Sequence, residues 1–352
     1  MTAVPSPLQD WLAAALAGRR PDRDTGATAH GVTWRWHAEG ILELLPAAPQ
    51  ARRYDAVLSC GVHGDETAPI ELVDGMLRDI DAGALTLRER ILVILGNPAA
   101  MRAGKRYLEF DLNRLFCGAH TRRAELPAAR RAAELERIVT AFFNESPAAA
   151  TSVKRRHFDM HTAIRPSHFR RFAVVPSAQG RSPEPRWLAD LAAADIAAIL
   201  LTNQPAVTFS YFTCATFGAE SCTLELGKVE PFGRNRLEDF SGIDTGLRRW
   251  LAGGEMMASA DDTHAPAQLF RVAAEIVRQS DAFDMHVPDD TPNFTPYPRG
   301  TVLANDGSYA YTVSHEVERI VFPNRNVANG LRAGVMVVPC DLSEFARMVT
   351  SG

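Results

Sequence analysis

Apolar positions along the chain follow two periods. Two continuous apolar runs, residues 56–60 and 91–95, each stop at a glycine, Gly61 and Gly96. Such runs are typical of strands buried on both faces of a parallel sheet. Between them Ile70, Val73 and Leu77 fall on one helical face, behind Pro69, which suits a first helical turn. Strand, helix, strand in about forty residues is the signature of an α/β domain.

The same reading extends in both directions. Residues 8–18 predict a helix stopped by Gly18-Arg19-Arg20-Pro21. Alternation within residues 28–45 predicts two early strands, a hairpin or meander near a sheet edge. Residues 127–143 carry a long helical pattern with Leu135, Ile138, Val139 and Phe142 inward. Residues 157–161, 172–176 and 221–227 read as further strands, 185–201 as an alanine-rich helix, and 239–251 as the last helix of this domain. Composition shifts at Gly253-Gly254. From about residue 265 short strands and turn signals (269–277, 300–304, 318–323, 334–339) predict an all-β module of under ninety residues. The expected division is an α/β domain over 1–255 and a C-terminal β domain over 256–352.

A chain of 352 residues is long for one core, so two domains are the default. A hydrophobic fraction of 46% excludes disorder. A net charge of −4 gives no reason to expect nucleic acid or an anionic membrane as partner. The five cysteines are odd in number and lack CxxC spacing, which reads as reduced, intracellular usage. Residues 1–23 lack a basic stretch followed by an apolar one, and residues 11–17 are too short to span a bilayer. The expectation is a soluble, cytoplasmic protein with no nucleic-acid or membrane partner, and a homo-oligomer is left open.

Three strand ends carry candidate chemistry. His63 and Glu66 follow the first buried strand, three residues apart, and Gly61 and Gly64 permit the tight turn that would bring both onto one ion. His161 ends another strand, in Asp159-Met160-His161-Thr162. In open α/β sheets ligands bind at the carboxyl ends of strands. His63, Glu66 and His161 together make a two-histidine, one-carboxylate set, the donor set of a hydrolytic zinc site with an open position. Each part alone is weak, since His-x-x-Glu arises by chance and a lone histidine is more often a core or surface residue.

Asp159 lies on the strand face of His161 and suits an acceptor for its free N–H, or a strand-end cap. Glu225 interrupts an apolar strand, which is costly unless it serves a site or faces solvent from an edge. As part of a site it is the candidate general base. Residues 104–114 are rich in donors that recognise carboxylates, Arg106, Asn113 and Arg114 among them, or form an ordinary charged loop. Cys60 reads as a small buried strand residue.

Jointly these stretches resemble the succinylglutamate desuccinylase/aspartoacylase family, a branch of the zinc carboxypeptidase-like proteins. The residues that carry the resemblance are Gly61-Val62-His63-Gly64-Asp65-Glu66, Gly96-Asn97-Pro98, Arg106-Tyr107 with Asp111-Leu112-Asn113-Arg114, Asp159-Met160-His161-Thr162 and Glu225-Leu226-Gly227. It extends from roughly residue 50 to 340. The resemblance implies an α/β fold with a mixed central sheet flanked by helices and a smaller C-terminal all-β domain beside the active site. It implies one zinc ion per subunit on His63, Glu66 and His161, with Glu225 as base. It implies that Arg106 polarises the scissile carbonyl and that Asn113 and Arg114 bind the α-carboxylate of the amino-acid product.

Residues 299–307 and 318–324, with Lys228, look like the desuccinylase branch. That branch hydrolyses N-succinylglutamate to succinate and glutamate, the last step of arginine breakdown by the succinyl pathway. An aspartoacylase-like or other N-acyl amino-acid deacylase is the alternative. A non-catalytic relative is disfavoured because all four of His63, Glu66, His161 and Glu225 are present. The implied partner is a small dicarboxylate N-acyl amino acid. Arg165, Arg170 and Arg171 could supply charge for it, or be surface arginines. Tyr309, or Tyr311 in its place, is expected to reach over the site.

Overall fold

The computed structural model describes residues 6–145, 153–256 and 266–351. The first half runs α1 (Trp11–Leu16), β1 (Thr25–Ala27), β2 (Thr33–Ala38), β3 (Ile41–Leu45), β4 (Tyr54–Cys60), α2 (Thr67–Ala82), β5 (Arg90–Leu95), α3 (Pro98–Arg102), α4 (Pro127–Asn144) and β6 (Lys154–Ala163). It continues with β7 (Phe172–Pro176), α5 (Pro185–Ala193), β8 (Ala198–Thr202), α6 (Phe209–Phe217), β9 (Glu220–Lys228) and α7 (Ser241–Leu251). The last part holds β10 (Gln268–Val277), β11 (Phe283–Met285), β12 (Thr295–Pro298), β13 (Val302–Asp306), β14 (Tyr309–Thr312), β15 (Val317–Val321), β16 (Arg332–Pro339) and α8 (Leu342–Ser351). The expected boundary at 255/256 adjoins residues 257–265, which lie outside the described residues, as do residues 1–5.

A thirteen-stranded mixed sheet forms the centre, in the order β1-β2-β3-β5-β4-β6-β9-β7-β8-β10-β16-β15-β12. The parallel trio β4, β6 and β9 carries the strand ends singled out above. The early strands make the expected edge meander. The sheet faces differ by parity, because side chains alternate along each strand. Leu58, Cys60, Phe158, Met160, Cys222 and Leu224 pack with Ile70, Val73, Trp187 and Trp250 from α2, α5 and α7. On the other face Val57, Leu92 and Ile94 pack with Leu135 and Ile138 of α4 and with Phe209 and Phe212 of α6.

Residues 185–201 are not one helix. Helix α5 ends at Ala193, Asp195 takes a left-handed φ of 67°, and Ala198–Thr202 forms β8. Ile199 and Leu201 are buried on one face of the sheet and Ala198 and Leu200 on the other, so pairing in the sheet overrides the helix preference of the alanines.

The C-terminal β module is present, and part of it also extends the central sheet. Strand β10 pairs parallel with β8, and β16, β15 and β12 follow antiparallel. Strands β11, β13 and β14 form a separate three-stranded sheet, joined to the rest through Ile276, Met285, Leu303, Ile320 and Met336. Among the described residues no helix is long and apolar enough to cross a membrane.

Candidate active site

The turn after β4 delivers His63 and Glu66. It is pinned by Gly96 N–H donating to the Cys60 carbonyl (2.8 Å) and Asn97 N–H to the Gly61 carbonyl (2.8 Å). Gly61 has a φ of +61°, the left-handed region that glycine enters without strain. Gly64 is needed for space: an added Cβ would stand 2.2 Å from Met101 N. Glu66 then sits at the start of α2, and His161 arrives from the end of β6.

The three side chains converge. His63 Nδ1 lies 2.8 Å from Glu66 Oε1, His161 Nδ1 lies 2.9 Å from Glu66 Oε2, and the two Nδ1 atoms are 3.2 Å apart. All three residues are buried, and one ligand atom from each falls within 4.8 Å of the others. The outward nitrogens are held as well. His63 Nε2 meets Asp111 Oδ1 at 3.1 Å, and His161 Nε2 meets Asp159 Oδ2 at 3.1 Å. Imidazoles that ligate a metal through one nitrogen ordinarily donate the other N–H to such an acceptor. The donor set, with both Nδ1 atoms inward and both Nε2 atoms on carboxylates, therefore fits a metal ion.

The electrostatics follow from burial and close charge. Burial pushes the Glu66 carboxyl up, but His63 and His161 outweigh it and hold it well below the usual carboxylate range. Burial lowers the His161 imidazole, and Asp159 and Glu66 more than reverse that. Glu225 pairs with His161 across β9 and β6. It lies deep among protein atoms yet keeps part of its surface open to solvent. Burial drives its carboxyl up to about 7, with Glu66 adding to the rise and His161, Arg106 and His63 opposing it. Arg106 Nη1 donates to Glu66 Oε1 at 2.7 Å. Burial lowers the Arg106 guanidinium, but Glu66, Asp111, Glu225 and Asp65 together raise it.

Residues 53–251 match the Succinylglutamate desuccinylase/Aspartoacylase catalytic domain, and residues 265–340 match the AstE/AspA barrel-sandwich hybrid domain. The chain belongs to the succinylglutamate desuccinylase/aspartoacylase family. A curated relative from Burkholderia thailandensis, named succinylglutamate desuccinylase, is 48% identical over 342 residues, covering 97% of this chain and 96% of its own. Two crystal structures of proteins with that name are similar throughout. The one from Chromobacterium violaceum is 42% identical with a TM-score of 0.81, and covers 94% of this chain and 98% of its own. The one from Vibrio parahaemolyticus is 34% identical with a TM-score of 0.85, and covers 94% and 95%.

The remaining residues that the family resemblance singles out divide by position. Asn113 is buried in the turn that also carries Asp111, and its side-chain oxygen accepts from Phe209 N at 2.9 Å. That bond fixes the amide orientation and leaves its NH2 as the free end. Arg114 is 45% exposed at its side chain and donates to the Asn113 carbonyl at 3.1 Å. Arg165 donates to the Asp289 carbonyl, which ties the loop after β6 to the C-terminal module. Arg170 is ion-paired with Asp239 at 2.6 Å, and Arg171 with Asp195, so both already have carboxylate partners. Tyr309 is exposed on β14, whereas Tyr311 is buried and gives its hydroxyl proton to Glu318.

Sequence reasoning named Asp111 within its motif but gave it no part to play, and it passed over Ser59, His157 and Thr213 behind the cluster. The signal for His157 was present: positions 157, 159 and 161 share one face of a strand.

Proposed function

We propose that this chain is a zinc-dependent amidohydrolase that cleaves N-succinylglutamate to succinate and glutamate, the step that ends arginine breakdown by the succinyl route. The observation that carries this reading is the convergence of His63, Glu66 and His161 at the ends of β4 and β6, with Glu225 opposite His161 and Arg106 alongside. It is supported by full-length relatives bearing the desuccinylase name.

His63, Glu66 and His161 would hold one zinc ion. An ion there supplies Lewis acidity, polarising a carbonyl and lowering the pKa of a water. Glu225 takes the proton from the attacking water as its oxygen bonds to the amide carbon. It then gives that proton to the glutamate nitrogen as the C–N bond breaks. A carboxyl raised toward neutrality suits both transfers. Arg106 has N–H groups beyond the one on Glu66, and these donate to the oxygen where negative charge develops. The NH2 of Asn113 and the guanidinium of Arg114 receive the α-carboxylate. Arg165 and Tyr309 complete the pocket for a small dicarboxylate N-acyl amino acid. The setting is cytoplasmic.

The test is metal dependence with stoichiometry. Wild-type protein should take up one zinc per chain, lose glutamate release from N-succinylglutamate on chelation, and regain it on zinc addition. A His161→Ala chain should fold and take up none. Full activity in zinc-free protein would overturn the proposal.

A further inference from the structure

Behind the cluster a line of polar side chains, all but Thr223 buried, crosses the sheet. Ser59 on β4, Asp159 on β6 and Thr223 on β9 stand side by side in register, as do His157 and Ser221. All five lie on the face covered by α6. Val57, Phe209 and Phe212 pack on that face, so each buried polar group there needs a partner.

The hydrogen bonds assign themselves from one end. Asp159 is fully buried between two donors, Ser59 Oγ and His161 Nε2, the setting of an ionised carboxylate. Ionised, it only accepts. Its Oδ2 faces His161 Nε2 at 3.1 Å, and its Oδ1 lies 2.5 Å from Ser59 Oγ. Ser59 has one proton, and it goes to Asp159. Ser59 Oγ also lies 2.8 Å from His157 Nε2, so there it must accept, and Nε2 must carry a hydrogen. His157 Nδ1 then bears a lone pair, with Thr213 Oγ1 at 2.8 Å as its donor. Ser221 Oγ lies 2.9 Å from Thr213 Oγ1 and 3.2 Å from the Ala219 carbonyl, the two places its one proton can go. The competing use of the Thr213 proton is the Ser210 carbonyl at 3.0 Å. That choice would leave a fully buried imidazole nitrogen without a donor. Burial, with the His161 charge adding and Asp159 opposing, holds His157 down to about 4, so the ring is neutral.

We infer that His157, fixed as its Nε2–H tautomer between Ser59 and Thr213, is a positioning residue that locks Asp159, and through it the His161 ring, and so sets how tightly the cluster holds its ion. Helix α6 thereby braces the metal ligand from behind. Substrate does not touch this line, so its loss acts on the ion and not on substrate recognition. The inference rests on the reading of His161 as a ligand proposed above.

Zinc affinity measured by competition with a chromophoric chelator tests it, on wild type, Ser59→Ala, His157→Leu, His157→Gln and Thr213→Val. Loss of a partner that orients a ligand costs about 10–100-fold in metal affinity. Ser59→Ala and His157→Leu should fall in that range. His157→Gln should recover much of it, because the amide can donate to Ser59 and accept from Thr213. KM at saturating zinc should not move. Folded variants that all hold zinc as wild type does would overturn the inference and leave the proposed function standing. A wild-type chain that takes up no zinc would defeat the proposed function, and this inference with it. Should His157→Leu fail to fold, Ser59→Ala and Thr213→Val decide between the same outcomes. Nitrogen-15 spectra of histidine-labelled, metal-free protein add a direct reading. His157 should have a protonated Nε2 and a bare Nδ1 at neutral pH, and the reverse pattern, or a doubly protonated ring, would contradict the relay.

Discussion

Glu225 stands opposite His161 in the parallel pairing of β9 with β6, two strands over from β4, whose following turn carries His63 and Glu66. A carboxylate in that position is largely desolvated beside Glu66, and it is held up to about 7 first by that desolvation. Glu225→Gln keeps the shape and removes the proton acceptor. Turnover should fall by roughly 10²–10⁴ with zinc uptake unchanged. Steady-state kinetics beside metal analysis checks this, and near-normal turnover would remove Glu225 from the base role.

Asp111 holds His63 much as Asp159 holds His161. Asp111→Ala leaves His63 Nε2 without its acceptor. Zinc affinity should drop by about 10–100-fold. Because Asp111 also accepts from Asn113 N at 2.9 Å and so shapes the turn bearing Asn113 and Arg114, KM should rise as well. Chelator competition and KM together separate this variant from those behind His161.

Arg114 is half-exposed and makes its hydrogen bond to a carbonyl, not to a carboxylate. Its one carboxylate partner, Asp111, stands at 3.9 Å, a loose ion pair that an incoming anion can compete with. Arg114→Ala should weaken kcat/KM for N-succinylglutamate by about 2 kcal/mol, the lower end for losing one partner of a charged pair. An unchanged kcat/KM would end its part in recognising the α-carboxylate.

Acid should loosen the C-terminal module through Glu318. The carboxylate accepts from Tyr311 Oη, from His315 Nδ1 at 2.8 Å and from the Ser314 and His315 N–H groups, each at 3.0 Å. Burial raises it, but these bonds prevail and lower it from 4.5 to about 2. A folded pKa below the unfolded one gives stability that is complete above the unfolded value and is lost as pH falls through the folded one. Urea midpoints measured from about pH 6 to about pH 3 should therefore decline, and Glu318→Gln should flatten that decline while lowering the neutral midpoint. An equally steep acid loss in the variant would assign it elsewhere.

Gly64 has no room for a side chain, since both nearest neighbours of an added Cβ are backbone atoms of α3, Met101 N at 2.2 Å and Ala100 C at 2.3 Å. Gly64→Ala should cost about 1–3 kcal/mol in stability, the range for overpacking. Zinc uptake should fall with it, because the turn that sets His63 against Glu66 must shift. Urea unfolding and metal analysis measure both.

Much of this arrangement was legible in the residues. The apolar runs ending at Gly61 and Gly96 mark β4 and β5, because short apolar runs closed by glycine suit strands buried on both faces. His63, Glu66 and His161 were found because strand ends give polar residues a reason to be there. Strand β8 was hidden, since Ala198–Thr202 follows an alanine-rich helix and only its pairing partners reveal it. Helix α6 was missed because Phe209, Ser210, Phe212, Thr213 and Cys214 are all buried, so no apolar–polar period marks it. Arg170 and Arg171 read equally as charge for a substrate or as surface arginines, and their carboxylate partners Asp239 and Asp195 could not be named because no spacing rule connects them.

The most direct test of the central claim is to compare kcat/KM for two substrates on one zinc-loaded preparation: glutamate release from N-succinylglutamate, and aspartate release from N-acetylaspartate. The account predicts strong preference for N-succinylglutamate, abolished in Glu225→Gln. Preference for N-acetylaspartate would contradict the desuccinylase reading, and activity on neither by zinc-loaded protein would contradict the assignment of this site to either reaction.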